Sequence, residues 1–238
     1  MNRLGTARQL GRSALRTGLS FLLGQGCAVC DRPQHQTFCL DCQAQLQDHV
    51  WDFEGWRPSA EHPLLIGTLA PYSGPVKQAL RTLKYDYRPD VGRALGVALA
   101  KQWRKHRPPT KRSTPLYVLP IPLHRHRQIQ RGYNQAKVIA QSFCQVSGLP
   151  LLAGGLIRVE DTLPQYQLGL KARQENLKDA FQVGQPLHQL GQQKAMPEVL
   201  LLDDIYTTGT TAKSAADSLR RSHVPVVGMI AVARTVDD

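Results

Sequence analysis

Residues 199 to 211 read VLLLDDIYTTGTT: an apolar run, two adjacent aspartates, then a threonine-rich turn. The run Val199–Leu202 lacks polar alternation, as expected of a parallel strand covered on both faces. Asp203 and Asp204 cannot both stay in such a core, because an unpaired buried charge is costly. The pair is expected to emerge at the strand's carboxyl end, where open α/β sheets place their ligands. After Ile205 and Tyr206, TTGTT opens a helix. Thr207, Thr208, Thr210 and Thr211 offer hydroxyls, and Gly209 permits a turn that other residues resist. Free amides and the positive dipole end at a helix N-terminus form a phosphate cradle. Two carboxylates suited to hydroxyls or a hydrated metal therefore stand beside a pocket for one phosphate, matching the two faces of a ribose 5-phosphate. The stretch is not a Walker loop, since no G-x4-G-K-[ST] is present.

The pattern on either side is of alternating strands and helices. LLIGTLAPYSG reads as a strand and turn, and GPVKQALRTLKYD as a helix with Pro75 in its first turn and Val76, Ala79, Leu80 and Leu83 on one face. PDVGRALGVALAKQWRKH reads as a second helix, with Asp90 near its start and basic residues at its end, as the helix dipole favours. LYVLPIPLH is strand-like, NQAKVIAQSFCQVSG helical, and LPLLAGGLIRV another strand-like run. From Glu160 to Asp179 the sequence turns polar. A short AFQVG follows, then the strand with the paired aspartates, the helix GTTAKSAADSLRRSH and the strand VPVVGMIAVART. This order predicts an α/β fold with a mostly parallel sheet flanked by helices.

Four of the five cysteines sit in CAVCDRPQHQTFCLDC, where Cys27 and Cys30 form one C-x2-C pair and Cys39 and Cys42 the other. Two such turns supply four thiolates to a tetrahedral zinc ion, and a reducing cytosol favours that over the alternative of two disulfides. Four ligands close the shell, so the expected role is structural. His35 reads as a bystander, and Cys144 as a buried core thiol. The expected organisation is a basic lead-in over 1–23, a small four-cysteine zinc module with its linker over 24–60, and an α/β domain over 61–238.

The chain has 238 residues and a net charge of +12, which favours anionic partners such as nucleic acid, phosphorylated metabolites or an acidic membrane surface. Between Asp90 and Glu160 there is no acidic residue, whereas an even spread would place about five there. That interval carries twelve lysines and arginines, from Arg93 to Arg158. It forms either a solvated basic face or a polyanion-binding surface. No run of about 20 apolar residues suggests a membrane span. The N-terminal stretch, with Arg3, Arg8, Arg12 and Arg16 before a brief Gly-interrupted apolar end, is too short in its apolar part for an export signal. The expected compartment is the cytoplasm.

The succession of apolar strand, acid pair, two residues and Thr/Gly loop resembles the phosphoribosyl pyrophosphate (PRPP) motif of the type I phosphoribosyltransferases. LPIPLHRHRQIQRGYNQA resembles a stretch shared by the ComF family of competence-associated, phosphoribosyltransferase-like proteins. The cysteine module, LKYD at Lys84, and the pattern of Gln165, Leu168, Arg173, Asn176 and Phe181 are similar to that family too, from about Cys27 to Arg234. Many relatives carry a further cysteine pair; this chain has none, so one complete metal site is expected.

The resemblance implies that Asp203 and Asp204 hold the ribose 2′- and 3′-hydroxyls and that residues Thr207–Thr211 hold the 5′-phosphate. It places pyrophosphate and Mg²⁺ near the loop after LPIP, with Arg125 and Arg131 nearby. The polar segment around Gln165–Asn176, including Arg173, takes the position of a closing loop. Lys84 either reaches the site or caps its helix. The resemblance also implies a part in the uptake or processing of single-stranded DNA alongside competence proteins. Tyr85, Tyr87, Trp103 and Tyr133 lie among the basic residues and could stack on its bases, although core packing is the expectation for Trp103. Three functions stay open at this point: a phosphoribosyltransferase with an unknown acceptor, a non-catalytic DNA-binding competence factor, and a PRPP sensor.

Overall fold

The structure is a computed structural model that describes residues 25–50, 57–59, 62–106, 114–159, 180–193 and 196–236. The basic lead-in, most of the linker, Arg173 and the polar segment 160–179 lie outside the described residues. In chain order the elements are α1 (Leu40–Asp48), β1 (Arg57–Ser59), β2 (His62–Pro71), α2 (Gly74–Tyr85), α3 (Pro89–His106), β3 (Leu116–Pro120) and α4 (Arg125–Arg131). They continue as α5 (Gln135–Ser147), β4 (Leu156–Arg158), β5 (Phe181–Val183), α6 (Gln185–Gln193), β6 (Glu198–Tyr206), α7 (Thr210–Arg221) and β7 (Val226–Arg234).

The main sheet has the order β1-β2-β7-β6-β3, with β2, β7, β6 and β3 parallel and β1 antiparallel at the edge. The expected mostly parallel sheet flanked by helices is therefore the observed fold. β1 falls within the stretch read as a linker and adds an edge strand there.

Side chains alternate across each strand, so the two faces of the sheet carry different cores. Leu200, Leu202, Ile230 and Val232 face one side with Leu80 and Leu83 of α2, Leu95 and Leu99 of α3, and Ile139 and Phe143 of α5. Val199, Leu201, Met229 and Ala231 face the other, with Ala215 and Leu219 of α7, Leu187 of α6 and Phe181 of β5. Each fully buried leucine stabilises the fold by about 1.5–3 kcal/mol. On the first face α3 and α5 pack closely because Gly96 has no side chain; a Cβ there would overlap the Ile139 carbonyl. Trp103 meets Phe143 edge to face at 5.9 Å. It is buried core and has no open face for a base, unlike Tyr85 and Tyr87.

Handedness explains the division of helices. Parallel crossovers are almost always right-handed, so the direction of travel along the sheet decides the face that a helix covers. The chain moves one way from β2 through α2 and α3 to β3, and onward through α5 to a bridge between Leu151 and Val118. It moves the other way from β6 through α7 to β7. The connections leaving β3 and β6 therefore diverge, and a crevice opens between the carboxyl ends of those neighbouring strands.

The run LPLLAGGLIRV is not one strand. Leu151 makes a single bridge to the main sheet, Gly154 turns the chain with φ 80°, and β4 pairs with β5 in a separate two-stranded antiparallel sheet. α4 has no counterpart among the expected elements. This helix buries none of its residues, so it has no apolar stripe to betray it.

Candidate functional site

β3 ends at Pro120, opposite Leu202, and one further bond runs from Ile121 N to Leu202 O at 2.9 Å. β6 runs on to Tyr206, with Asp203 opposite Ala231 and Tyr206 opposite Arg234 on β7. The aspartates thus lie within β6, whereas an apolar strand ending at Leu202 would have left them just beyond it. They still face the crevice, because the strand on the other side has stopped. Being adjacent on a strand, they point to opposite faces.

Asp204 turns toward the α2 face, is nearly buried, and pairs with Lys84, whose Nζ lies 2.5 Å from Oδ2. Of the two roles left open for Lys84, the geometry selects reaching the site. Asp203 turns the other way, and its Oδ1 accepts from the Asp204 amide at 2.8 Å. Burial pushes the Asp203 carboxyl well above the usual range, and the Asp204 charge adds to that, while Lys84 opposes it.

Past the strand, Gly209 adopts φ 74° and ψ −5° as the N-cap of α7. That conformation favours glycine, and a Cβ there would also push the Tyr206 hydroxyl aside. No side chain caps α7, and the first helical bond runs from Lys213 N to Gly209 O at 2.8 Å. The amides of Thr210, Thr211 and Ala212 therefore precede the helical ladder. Thr208 and Thr210 share a hydroxyl hydrogen bond of 2.8 Å, and Thr207 and Thr208 are exposed. Carboxylates and an anion cradle occur in one strand–turn–helix unit.

The loop after β3 is fixed at both ends. Asn134 Nδ2 donates to Ile121 O at 2.9 Å, and the Tyr133 hydroxyl donates to Leu83 O of α2. Burial raises the Tyr133 phenol to about 12, so it stays a donor. Arg125 begins α4 and is exposed, and Arg131 ends it with its guanidinium 5.4 Å from the centre of the Tyr85 ring. Tyr87 donates to Gln130 O at 2.7 Å. The structure brings Lys84, Asp203, Asp204 and the 207–211 turn together, and it sets Arg131 against the residue after Lys84.

Arg158 enters the sequence reading only as one cation among twelve, yet it lies on β4 with its guanidinium 5.4 Å from the Phe181 ring centre and its Nε buried without a hydrogen-bond partner among the described residues. Burial holds this guanidinium below its usual range; the Arg127 charge acts in the same direction, and Asp203 opposes both. The one signal in the sequence is a lone cation closing a strand-like run.

The four module cysteines converge, with all four sulfurs within 4.8 Å of one another and none in a disulfide. Cys30 Sγ and Cys39 Sγ are 3.7 Å apart. A tetrahedral shell of four sulfurs with bonds near 2.3 Å has an edge of about 3.8 Å, so the cluster fits a metal ion. Burial pushes the Cys27 thiol up, but amides of Cys30, Cys39 and Val29 outweigh it and hold it at about 6, a thiolate ready for a cation. His35 is exposed and outside the cluster. Cys144 is buried, and burial raises it to about 12, in keeping with a core thiol.

The module does not hang free. Thr82 Oγ1 of α2 donates to Ala28 O at 2.8 Å. Arg88 Nη1 donates to Gly26 O at 2.9 Å, while Nε and Nη2 grip both oxygens of Asp90 at 2.9 and 2.8 Å. Ala28 itself belongs to the core beneath α2 and α3.

No protein-family model matches the chain. It is similar to competence protein F of Haemophilus influenzae, with 28% identity over 200 residues, covering 83% of this chain and 84% of that protein. It is similar also to the DNA utilization protein YhgH of Salmonella typhimurium, 27% identical over 227 residues, covering 88% and 97%. Competence protein ComFC of Bacillus subtilis is 25% identical over 208 residues, covering 86% and 75%. The resemblance to ComF proteins read from the residues therefore holds along most of the chain. Among solved structures, an adenine phosphoribosyltransferase from Leishmania donovani is 15% identical with a TM-score of 0.39, covering 81% of this chain and 67% of that one. Strand order and crossovers, rather than this likeness, define the fold.

Proposed function

We propose that this chain is a PRPP-binding, phosphoribosyltransferase-like protein of the ComF type that serves DNA uptake. The observation that carries the reading is the run from Asp203 to Thr211. Two carboxylates at the open end of the β3–β6 crevice are followed at once by a helix start with uncapped amides and a glycine in the left-handed conformation. In this reading Asp203 and Asp204 hold the ribose 2′- and 3′-hydroxyls, and the amides and hydroxyls of residues 207–211 hold the 5′-phosphate. Lys84 sets Asp204 in place, and Arg125 and Arg131 stand toward the diphosphate. The closing-loop role of Arg173 belongs to the same reading. Mg²⁺, bound with PRPP, would neutralise the diphosphate as it leaves C1 of the ribose. The protein's share is positional and electrostatic: it fixes the ribose, receives the phosphates and excludes water. The acceptor stays open, as does a sensor that binds PRPP without turnover.

The thiolate set, closed at four soft ligands, suits Zn²⁺ in a structural role. We read residues 24–60 as the zinc module with its linker and 61–238 as the ligand-binding domain. The names of the relatives, competence protein F, ComFC and DNA utilization protein, support the link to DNA uptake. No helix among the described residues is long and apolar enough to cross a membrane, and we place the protein in the cytoplasm.

One observation favours a second activity at the same edge. Tyr85 and Tyr87 are 65% and 63% exposed and lie a few residues before the acid-free interval 91–159, which suits base stacking and phosphate contacts with single-stranded DNA. Such binding should weaken steeply with salt, with a slope that flattens when Arg104 and Lys105 are replaced.

The deciding experiment is calorimetric titration of Mg²⁺–PRPP into the wild type and the Asp203→Asn/Asp204→Asn variant, with thermal scans to check folding. Saturable binding lost in a folded variant supports the reading. Absence of binding to folded wild type overturns it.

A further inference from the structure

Tyr87 stands where the backbone favours a glycine. α2 ends at Tyr85 with Asp86 as its C-cap, so Tyr87 is the first residue past the cap, where helices commonly turn left-handed on glycine. Its φ is 53°. Among the described residues only Asp31 and His223 also take a positive φ without being glycine, and both types tolerate it better than a bulky tyrosine. A conformation of this kind persists where the surroundings hold it. Burial is not what holds this one, since Tyr87 is 63% exposed.

The contacts that reward the side chain lie on α4. The Tyr87 hydroxyl donates to Gln130 O at 2.7 Å, one of the carbonyls that the last turn of a helix leaves without an internal partner. The same ring lies beside Gly132, the left-handed C-cap of α4, where a Cβ would sit 3.6 Å from ring carbon Cε1. Tyr85, two residues back, has the Arg131 guanidinium 5.4 Å from its ring centre. Two rings from one junction thus meet three successive residues at the end of α4.

α4 needs such a hold. With seven residues it is too short to be stable alone, it buries none of them, and its single aliphatic residue, Ile129, is 74% exposed. It carries Arg125, Arg127 and Arg131 with no acid, and Arg125 stands at the end that the helix dipole disfavours for a cation. The junction itself is anchored on its other sides. Asp86 N donates to Thr82 O at 3.0 Å, and Arg88 ties Asp90 of α3 to Gly26 O. The junction is the fixed post, and α4 is fastened to it.

We propose that Tyr87 is a positioning residue: its hydroxyl and ring latch the end of α4 onto the α2–α3 junction, and the latch sets where the segment between β3 and α5 stands at the mouth of the crevice. Tyr87 itself touches no ligand. Its bearing on ligand affinity rests on the PRPP reading, whereas the latch can be tested without it.

The test combines hydrogen exchange read by mass spectrometry, thermal scans and Mg²⁺–PRPP titration on wild type, Tyr87→Phe and Tyr87→Gly. Glycine removes the latch but eases the backbone, so the thermal midpoint of Tyr87→Gly should stay within about 4 °C of wild type. Amides of residues 128–131 should nevertheless exchange about 2- to 10-fold faster, the factor that one neutral hydrogen bond supplies. Tyr87→Phe, which keeps the ring beside Gly132, should fall between the two. PRPP should bind more weakly in the same order. Unchanged exchange over α4 in Tyr87→Gly, or no slowed exchange there in wild type, would overturn the latch. Faster exchange throughout the chain with a large fall in midpoint would make Tyr87 a general support of the fold, and would overturn it too. If exchange rises over α4 alone while folded wild type binds no PRPP, the latch stands and the PRPP reading falls.

Discussion

Asp203 and Asp204 are neighbours on one strand, and they live in opposite settings. Asp204 faces the helices that carry the cysteine module and has a lysine at 2.5 Å. Asp203 faces the small β4–β5 sheet, and burial raises its carboxyl by more than the Lys84 charge lowers it. A strand's alternation has thus turned one sequence signal, an acid pair, into two side chains with different chemistry. One is a fixed charge whose removal leaves a cation stranded. The other is a carboxyl that burial pushes toward its neutral form.

The largest break of this contrast should come from the metal. Ala28 is core to the Asp204 face and Thr82 holds its carbonyl, so the module braces that side. Stripping the metal with a chelator should lower the thermal midpoint by on the order of 10 °C and weaken PRPP binding with it. This departs from a module that unfolds alone and leaves the site intact. Retained PRPP affinity in the stripped protein would mean that the hydrogen bonds to α2 suffice without the ion.

Next in size is Asp204→Asn, which leaves the largely buried Lys84 without its partner and should cost about 3 kcal/mol. Lys84→Met in the same chain should return much of that, and a double-mutant cycle by chemical denaturation would read the coupling. Additive costs would show that the pair contributes no coupling energy to the fold.

The smallest effect has the opposite sign. The folded state holds the Asp203 proton at pH values where the unfolded chain has lost it, so stability falls as pH rises from the ordinary carboxyl range through the raised value. Asp203→Asn should melt above wild type at pH 7, with the difference fading below about pH 4. A variant that melts lower at every pH would assign Asp203 a supporting contact instead.

Much of this was legible in the residues. α2, α3, α5 and α7 announced themselves because each buries one face against a sheet, and α5 also has Asn134 at its start and Gly148 in the left-handed conformation at its end. The cysteine spacing pointed to the cluster of four sulfurs that could hold a metal ion. What could not be read depends on neighbours far away in the chain. The extension of β6 past Leu202 is fixed by pairing to β7, and nothing local marks where a strand stops when a partner continues beside it. The split of LPLLAGGLIRV needed two different sheets to receive its halves. Arg158 looked like any cation until the ring beneath it and the crevice beside it were known.

The last turn of α2 joins four neighbours through four successive residues. Thr82 bonds the cysteine module, the Leu83 carbonyl takes the Tyr133 hydroxyl, Lys84 reaches Asp204, and Tyr85 meets Arg131. Successive helical residues step about 100° around the axis, so these four use nearly the whole circumference. The helix works as a ruler with marks on every side. An exchange at one mark disturbs one neighbour, whereas a single residue inserted between Gly74 and Thr82 would turn all four marks by about 100° together. The number of residues in α2 is thus constrained more tightly than their kinds: the segment can change letters, but it cannot change length.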